Sequence, residues 1–78
     1  MNYEIIGILV RNPTTCGKKL QELLTLYGCV IRNRLGINRE EVKGGIIILD
    51  IAGNLEQINL LKKELTNLDG IEYKHINL

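Results

Sequence analysis

Aromatic residues are scarce in this chain of 78 residues, which contains three tyrosines and neither tryptophan nor phenylalanine. It also has one proline, one histidine and two cysteines. Two cysteines cannot build a disulfide framework, and a lone histidine without ligands at metal spacing does not indicate a metal site. The core must therefore be aliphatic, and we expect neither a metal ion nor another cofactor.

Long apolar runs and an excess of one charge are also missing. The longest apolar run is Ile5–Val10, whereas a helix needs about 20 such residues to span a bilayer. The net charge of +1 provides no field that would attract nucleic acid or an acidic membrane. No basic leader with a cleavage site precedes the first apolar segment. These features predict a cytoplasmic protein without a membrane segment.

The length of the chain predicts one domain, residues 1–78. A chain of this size buries only about 60–65% of the surface that its unfolded form exposes, so its stability is marginal. Small domains usually gain stability from disulfides, metals or partner subunits. Because the composition favours neither of the first two, a partner subunit is the remaining source.

Hydrophobic periodicity divides the chain into four strands and two helices. Segments 3–10 and 46–51 are apolar on both faces, which is typical of central strands, whereas 29–37 and 71–77 alternate as edge strands do. The first helical stripe is formed by Cys16, Leu20, Leu23, Leu24 and Tyr27. The second stripe is formed by Leu55, Ile58, Leu61, Leu65 and Leu68.

Capping residues mark where these helices begin and end. Asn12 with Pro13 predicts the start of the first helix, and Asn54 predicts the start of the second. Gly28 and Gly70 are placed to end them. The order βαββαβ predicts an α+β ferredoxin-like sandwich, with a four-stranded antiparallel sheet and both helices on one face. Right-handed crossovers place the first and third strands in its centre.

Two helices leave the other face of this sheet uncovered. Either Ile6, Ile8 and Val10 or the alternate residues Ile5 and Leu9 must face away from the helices, and the third strand offers the same choice. Leaving such side chains in water costs several kcal/mol at about 25 cal/mol per Å². We therefore predict a homo-oligomer, either a dimer or a tetramer. The expected interface consists of Ile6, Ile8, Val10, Ile47, Leu49 and Ile51.

Four residues are candidates for ligand binding. Arg11, Asn12 and Thr14 surround the start of the first helix, where backbone N–H groups can bind an anion. Arg34 lies in a basic stretch of the second strand, whose alternative role is to keep an edge strand from pairing further. The segment Thr14–Lys19 lacks the first glycine of a phosphate-binding loop, so it is not one.

No catalytic constellation is readable, so we do not expect an enzyme. Cys16 and Cys29 are more simply explained as small buried residues, and about 20 Å of helix separates them, which excludes a disulfide. His75 is more simply explained as a satisfied or exposed side chain than as a metal ligand or pH sensor. Asp50 is not assigned a role as a base.

Two spaced patterns resemble a known family. They are Leu23-Leu24-x-x-Tyr27-Gly28-x-x-Ile31-x-x-Arg34-Leu35-Gly36 and Ile58-x-x-Leu61-x-x-x-Leu65-x-x-Leu68-x-Gly70-Ile71. Nearly the whole chain resembles the short proteins known as iron-only hydrogenase system regulators, which are similar in fold to ACT domains and to the C-terminal domain of the nickel-responsive regulator. The resemblance implies a transcriptional or metabolic regulator that senses a small ligand at a subunit interface. A regulatory protein partner is also implied, and a ligand-free assembly module is the alternative.

The chain departs from both related folds in the places that bind ligands. ACT domains commonly carry a glycine in the loop after the first strand, whereas this chain has Arg11, Asn12 and Pro13 there. The nickel-responsive regulator uses a cluster of histidines and cysteine and a separate DNA-binding arm, and neither pattern is found in this sequence. The resemblance therefore implies regulation without a direct DNA-binding motif and leaves the ligand open.

Overall fold

Six elements follow one another in the predicted order βαββαβ. The computed structural model describes residues 2–78, and side-chain environments from Tyr3 onward. The elements are β1 (Asn2–Val10), α1 (Pro13–Leu26), β2 (Ile31–Arg39), β3 (Val42–Gly53), α2 (Leu55–Thr66) and β4 (Ile71–Asn77).

The four strands form one antiparallel sheet in the order β2-β3-β1-β4. The two most apolar strands, β1 and β3, occupy its centre, as predicted. Both helices pack on the same face, where Leu20 and Leu24 of α1 and Leu61 and Leu65 of α2 join one aliphatic core. The ferredoxin-like prediction is therefore confirmed.

The register of the central strands corrects the predicted interface. Ile6, Ile8 and Leu49 are fully buried, and Ile8 pairs with Ile47, so this set faces the helices. The predicted interface residues that the helices cover in a single chain are Ile6, Ile8, Val10, Leu49 and Ile51, with Ile47 packed against them. The alternate set lies on the uncovered face. The prediction chose the wrong set because both sets consist mainly of large aliphatic residues.

Side-chain caps begin both helices as the sequence predicts. The Asn12 Oδ1 accepts a hydrogen bond from the Thr15 N–H at 3.3 Å, and the Asn54 Oδ1 accepts one from the Gln57 N–H at 3.0 Å. Gly28 follows the C-cap residue Tyr27, so α1 ends where predicted, but its φ is not positive and the left-handed ending that glycine usually provides is absent. The chain leaves α1 through a turn in which the Gly28 N–H donates to the Thr25 carbonyl.

Strand β2 begins later than predicted and is interrupted by a bulge. It starts at Ile31, and its register shifts between Ile31 and Asn33. Ile31 therefore pairs with Ile51 on the helix-covered face, while Leu35 pairs with Ile48 on the uncovered face. In a regular strand Ile31 and Leu35 would share a face because they are four residues apart, but the unpaired residue at the bulge reverses the alternation.

The predicted loop between β2 and β3 is a tight hairpin. Arg39 pairs with Val42, and only Glu40 and Glu41 lie between the strands. A second register irregularity follows, where Gly45 has a φ of 78°. Gly44 lies so close to the end of β1 that a Cβ atom added to it would overlap the Cγ1 and the carbonyl oxygen of Val10. This close approach of the two backbones requires glycine at position 44.

We expect Gly44→Ala to destabilise the protein by about 2 kcal/mol, because the added methyl group would push the Val10 backbone away. Urea denaturation followed by circular dichroism measures the change. Gly36→Ala is the matched control, since no atom lies within 4 Å of its added Cβ. Equal midpoints for the two variants would show that the hairpin shifts without cost.

Candidate functional site

The uncovered side of the sheet is mainly apolar, and we call it the open face. Its residues alternate with the buried core set in every strand except at the bulges. Its apolar members are Tyr3, Ile5, Leu9, Leu35, Ile37, Ile46, Ile48 and Ile76. Leu35 and Ile76 are 59% and 62% exposed, so the patch reaches both edges of the sheet. A contiguous apolar surface of this kind is typical of an interaction site.

A depression of about 500 Å³ lies on the open face between β1, β3 and β4. Its lining residues are Gly7, Leu9, Ile46, Glu72, Tyr73 and Lys74. Gly7 pairs with Ile48 on one side and with Lys74 on the other, so the missing side chain leaves a gap in the row. We call this the Gly7 depression.

The predicted ligand residues Arg11 and Asn12 line a separate polar depression of about 340 Å³, together with Glu41, Val42 and Lys43. Arg11 already makes a two-point ion pair with Glu72, with Nε–Oε1 at 3.0 Å and Nη2–Oε2 at 3.2 Å. The hydrogen bond and the positive charge lower the pKa of Glu72 below its usual range. Because Glu41 is present and Arg11 is paired, this depression is not organised around an anion.

The other two predicted ligand residues lie elsewhere. Thr14 is exposed in the first turn of α1. Arg34 lies on β2 opposite Leu49 of β3, and Leu49 pairs with Ile6 in the middle of β1. Arg11 follows the end of β1, five residues after Ile6. It donates a hydrogen bond to the side-chain carbonyl of Gln21 on α1. The structure therefore brings Arg11 and Asn12 together and does not bring Arg34 to them.

A buried charge cluster is the feature that the sequence analysis missed. Glu4 is only 2% exposed, and its Oε2 lies 2.7 Å from the Nζ of Lys62 and 3.1 Å from the Nδ1 of His75. The cluster joins β1, α2 and β4. Nearby, the Tyr73 hydroxyl donates to the Lys62 carbonyl oxygen and contacts the Thr66 hydroxyl. These contacts also link α2 to β4.

The two cysteines differ in accessibility. Cys16 is fully buried, as expected, and its Sγ donates to the Asn12 carbonyl at 3.1 Å. Cys29 lies exposed in the turn after α1, so the expectation that it is buried is wrong, and the neighbouring Val30 enters the core instead. Both thiols are free.

We expect a thiol reagent such as dithionitrobenzoate to modify one cysteine per native chain quickly and both after unfolding, because only Cys29 is accessible. Absorbance during the reaction measures the count. Cys29→Ser provides the control, since the rapid phase should disappear in this variant. Rapid modification of two thiols in the native protein would contradict the burial of Cys16.

Two classes of site can be tested directly against the structure. Within residues 2–78, no group of three or more His, Cys, Asp or Glu side chains is placed to hold a metal ion. Across the same part of the chain, no helix is long and apolar enough to cross a membrane.

Comparison with known proteins identifies a family that this chain matches. Residues 2–75 match the model of the TM1266-like family, described as "Iron-only hydrogenase system regulator, putative". No curated protein is significantly similar in sequence. The structure is similar to that of the uncharacterized protein TM1266 from Thermotoga maritima, with a TM-score of 0.88 and 25% identity over 97% of this chain and 95% of the other.

More distant structures share the fold. One is a "putative PII-like signaling protein" from Thermus thermophilus, with a TM-score of 0.59 and 14% identity over 100% of this chain and 87% of the other. Another is a nitrogen regulatory PII-like protein from Thiomonas intermedia, with a TM-score of 0.51 and 12% identity over 99% and 90% of the two chains. With the family model matching from Asn2 to His75, this chain belongs to the TM1266-like family of iron-only hydrogenase system regulators.

Proposed function

We propose that this protein regulates an iron-only hydrogenase system as a homo-oligomer that binds a small ligand where its subunits meet. The family supports the regulatory role. The observation that carries the assembly is the open face, where eight apolar side chains are spread over all four strands. The interface proposed from sequence moves to this register, with Ile5, Leu9, Ile46 and Ile48 at its centre.

The size of the open face fits a subunit contact. Four strands about 4.8 Å apart and about seven residues long give roughly 450 Å² of projected area per copy. The faces of two copies together have a projected area of roughly 900 Å². Because side chains project from the sheet, the accessible surface that they bury is larger than the projected area and approaches that of the smaller specific interfaces, at about 1,200 Å². In a symmetric dimer both subunits contribute the same patch, so the open face of one copy can pack against the open face of the other.

Multi-angle light scattering tests the assembly directly. A monomer has a mass of 8.8 kDa, and we expect a multiple of this value at micromolar concentration. Thermal-shift screening against metals, amino acids, nucleotides and organic acids then tests ligand sensing. A monomeric protein, or an oligomer that responds to no member of a broad panel, would contradict the corresponding half of the proposal.

A ligand-free assembly module is the second candidate. It is favoured by the polar depression, in which Arg11 is paired with Glu72 and Asn12 is used as a helix cap. Co-purification with one stoichiometric protein partner, together with no thermal response to the panel, would favour this role over sensing.

A further inference from the structure

Gly7 occupies a position where the fold does not need a glycine. Its φ is not positive, and a Cβ added to it would meet only the Ile48 Cδ1, at an ordinary 3.8 Å. A glycine inside a strand typically costs about 0.5–1 kcal/mol relative to alanine, and it often marks a site where a ligand approaches the backbone. The absent side chain leaves space in the Gly7 depression, and no backbone requirement explains the glycine.

The walls of the Gly7 depression have a definite chemistry. Leu9 and Ile46 pair across β1 and β3 and form an apolar floor beside Gly7. Of the two charged residues on the β4 side, Glu72 is neutralised by Arg11. Lys74 is exposed, and no ion pair to it is formed within residues 2–78. The Lys74 charge lies near enough to Glu72 to help lower the pKa of that carboxyl, and Arg11, Glu72 and Lys74 together carry one net positive charge. The depression therefore presents an apolar surface with a net positive edge.

The geometry points to the Gly7 depression as the binding site for a small organic anion with an apolar body. The body lies on Gly7, Leu9 and Ile46, and the anionic group meets the Lys74 ammonium. A volume of about 500 Å³ is within the usual range for small-molecule sites. This inference rests on the proposed function, since a second copy seated on the open face closes a depression that one chain leaves open.

Two related fluorescent probes test the site. Anilinonaphthalene sulfonate is an apolar anion, and phenylnaphthylamine has the same aromatic body without the charge. We expect Gly7→Leu to weaken the binding of both probes at least about tenfold, because the side chain fills the depression. Lys74→Gln should weaken only the sulfonate, by about threefold, which is the usual effect of one exposed charge pair.

Gly36→Leu is the matched control, because it makes the same change on the neighbouring edge of the sheet, on the opposite face, with nothing within 4 Å of its added Cβ. It should bind both probes within about twofold of the wild type. Circular dichroism confirms that each variant is folded. Unchanged binding of both probes by Gly7→Leu, or equal effects of Lys74→Gln on the two probes, would overturn the site.

Light scattering on the same samples separates the two proposals. An oligomer in which Gly7→Leu keeps wild-type affinity for both probes overturns the site and leaves the assembly standing. A monomer that binds the sulfonate in a Gly7- and Lys74-dependent way overturns the assembly and supports the site.

Discussion

Lys62→Met is expected to destabilise the protein by about 3 kcal/mol, which is the usual cost of removing one partner from a buried ion pair. The Lys62 ammonium lies 2.7 Å from a carboxylate oxygen of Glu4, whose side chain is 2% exposed. Without it, Glu4 keeps only His75, at 3.1 Å and 42% exposed. Chains of this length unfold at a cost of about 4–12 kcal/mol, so the variant loses a large part of its stability.

The experiment compares urea denaturation curves of three variants. Lys63→Met is the matched control, because Lys63 is the exposed neighbour on the same helix and should change stability by less than about 0.5 kcal/mol. Glu4→Gln/Lys62→Met removes both charges and should recover part of the loss, since no buried charge is then left unpaired. Equal midpoints for Lys62→Met and Lys63→Met would show that water replaces the ammonium and that the cluster contributes little.

The arrangement of elements was predictable because each depends on local pattern. Each of these features depends on residues that are close together in sequence. They are the stripe from Cys16 to Tyr27, the caps Asn12 and Asn54, and the strands that are apolar on both faces. The order of strands then follows from chain connectivity and the handedness of crossovers. None of these inferences requires knowing which particular side chains touch.

The choice of the open face could not be made from hydrophobicity alone, because it depends on register. A one-residue slip exchanges the two faces of a strand, and Ile6 and Ile5 are chemically the same. The pattern of β1 did contain one signal. Gly7 shares a face with Ile5 and Leu9, and a row interrupted by glycine is a poorer core than the continuous row Ile6, Ile8. Weighing that glycine would have favoured the correct register.

The buried cluster was missed for a different reason. Glu4 lies 58 residues from Lys62 and 71 from His75 in sequence, so no local spacing connects the three. They meet because β1 and β4 pair with Ile6 opposite His75, and because α2 packs over both strands. A carboxylate on the core side of a central strand needs a cationic partner, because an unpaired buried charge is costly. The sequence could have predicted such a partner for Glu4 only once the register of β1 was known.

Ile48→Glu is expected to dissociate the proposed oligomer, with a loss of affinity of about 100-fold or more. Ile48 lies at the centre of the open face, paired with Gly7 on one side and Leu35 on the other. In a symmetric pair, the two new carboxylates would lie near each other in an apolar contact, where an unpaired charge is costly. Light scattering across a dilution series should show 8.8 kDa at concentrations where the wild type remains assembled.

Two further variants make this result decisive. Leu55→Glu adds the same charge to an exposed leucine at the start of α2, away from the sheet, and should leave the mass unchanged. Leu35→Glu places the charge on a side chain that is 59% exposed, so this variant should remain folded even if Ile48→Glu unfolds the protein. An oligomer that persists in both open-face variants would mean that the subunits meet through another surface. Dissociation by either one, with Leu55→Glu intact, ties assembly to the side of the sheet that the helices leave bare.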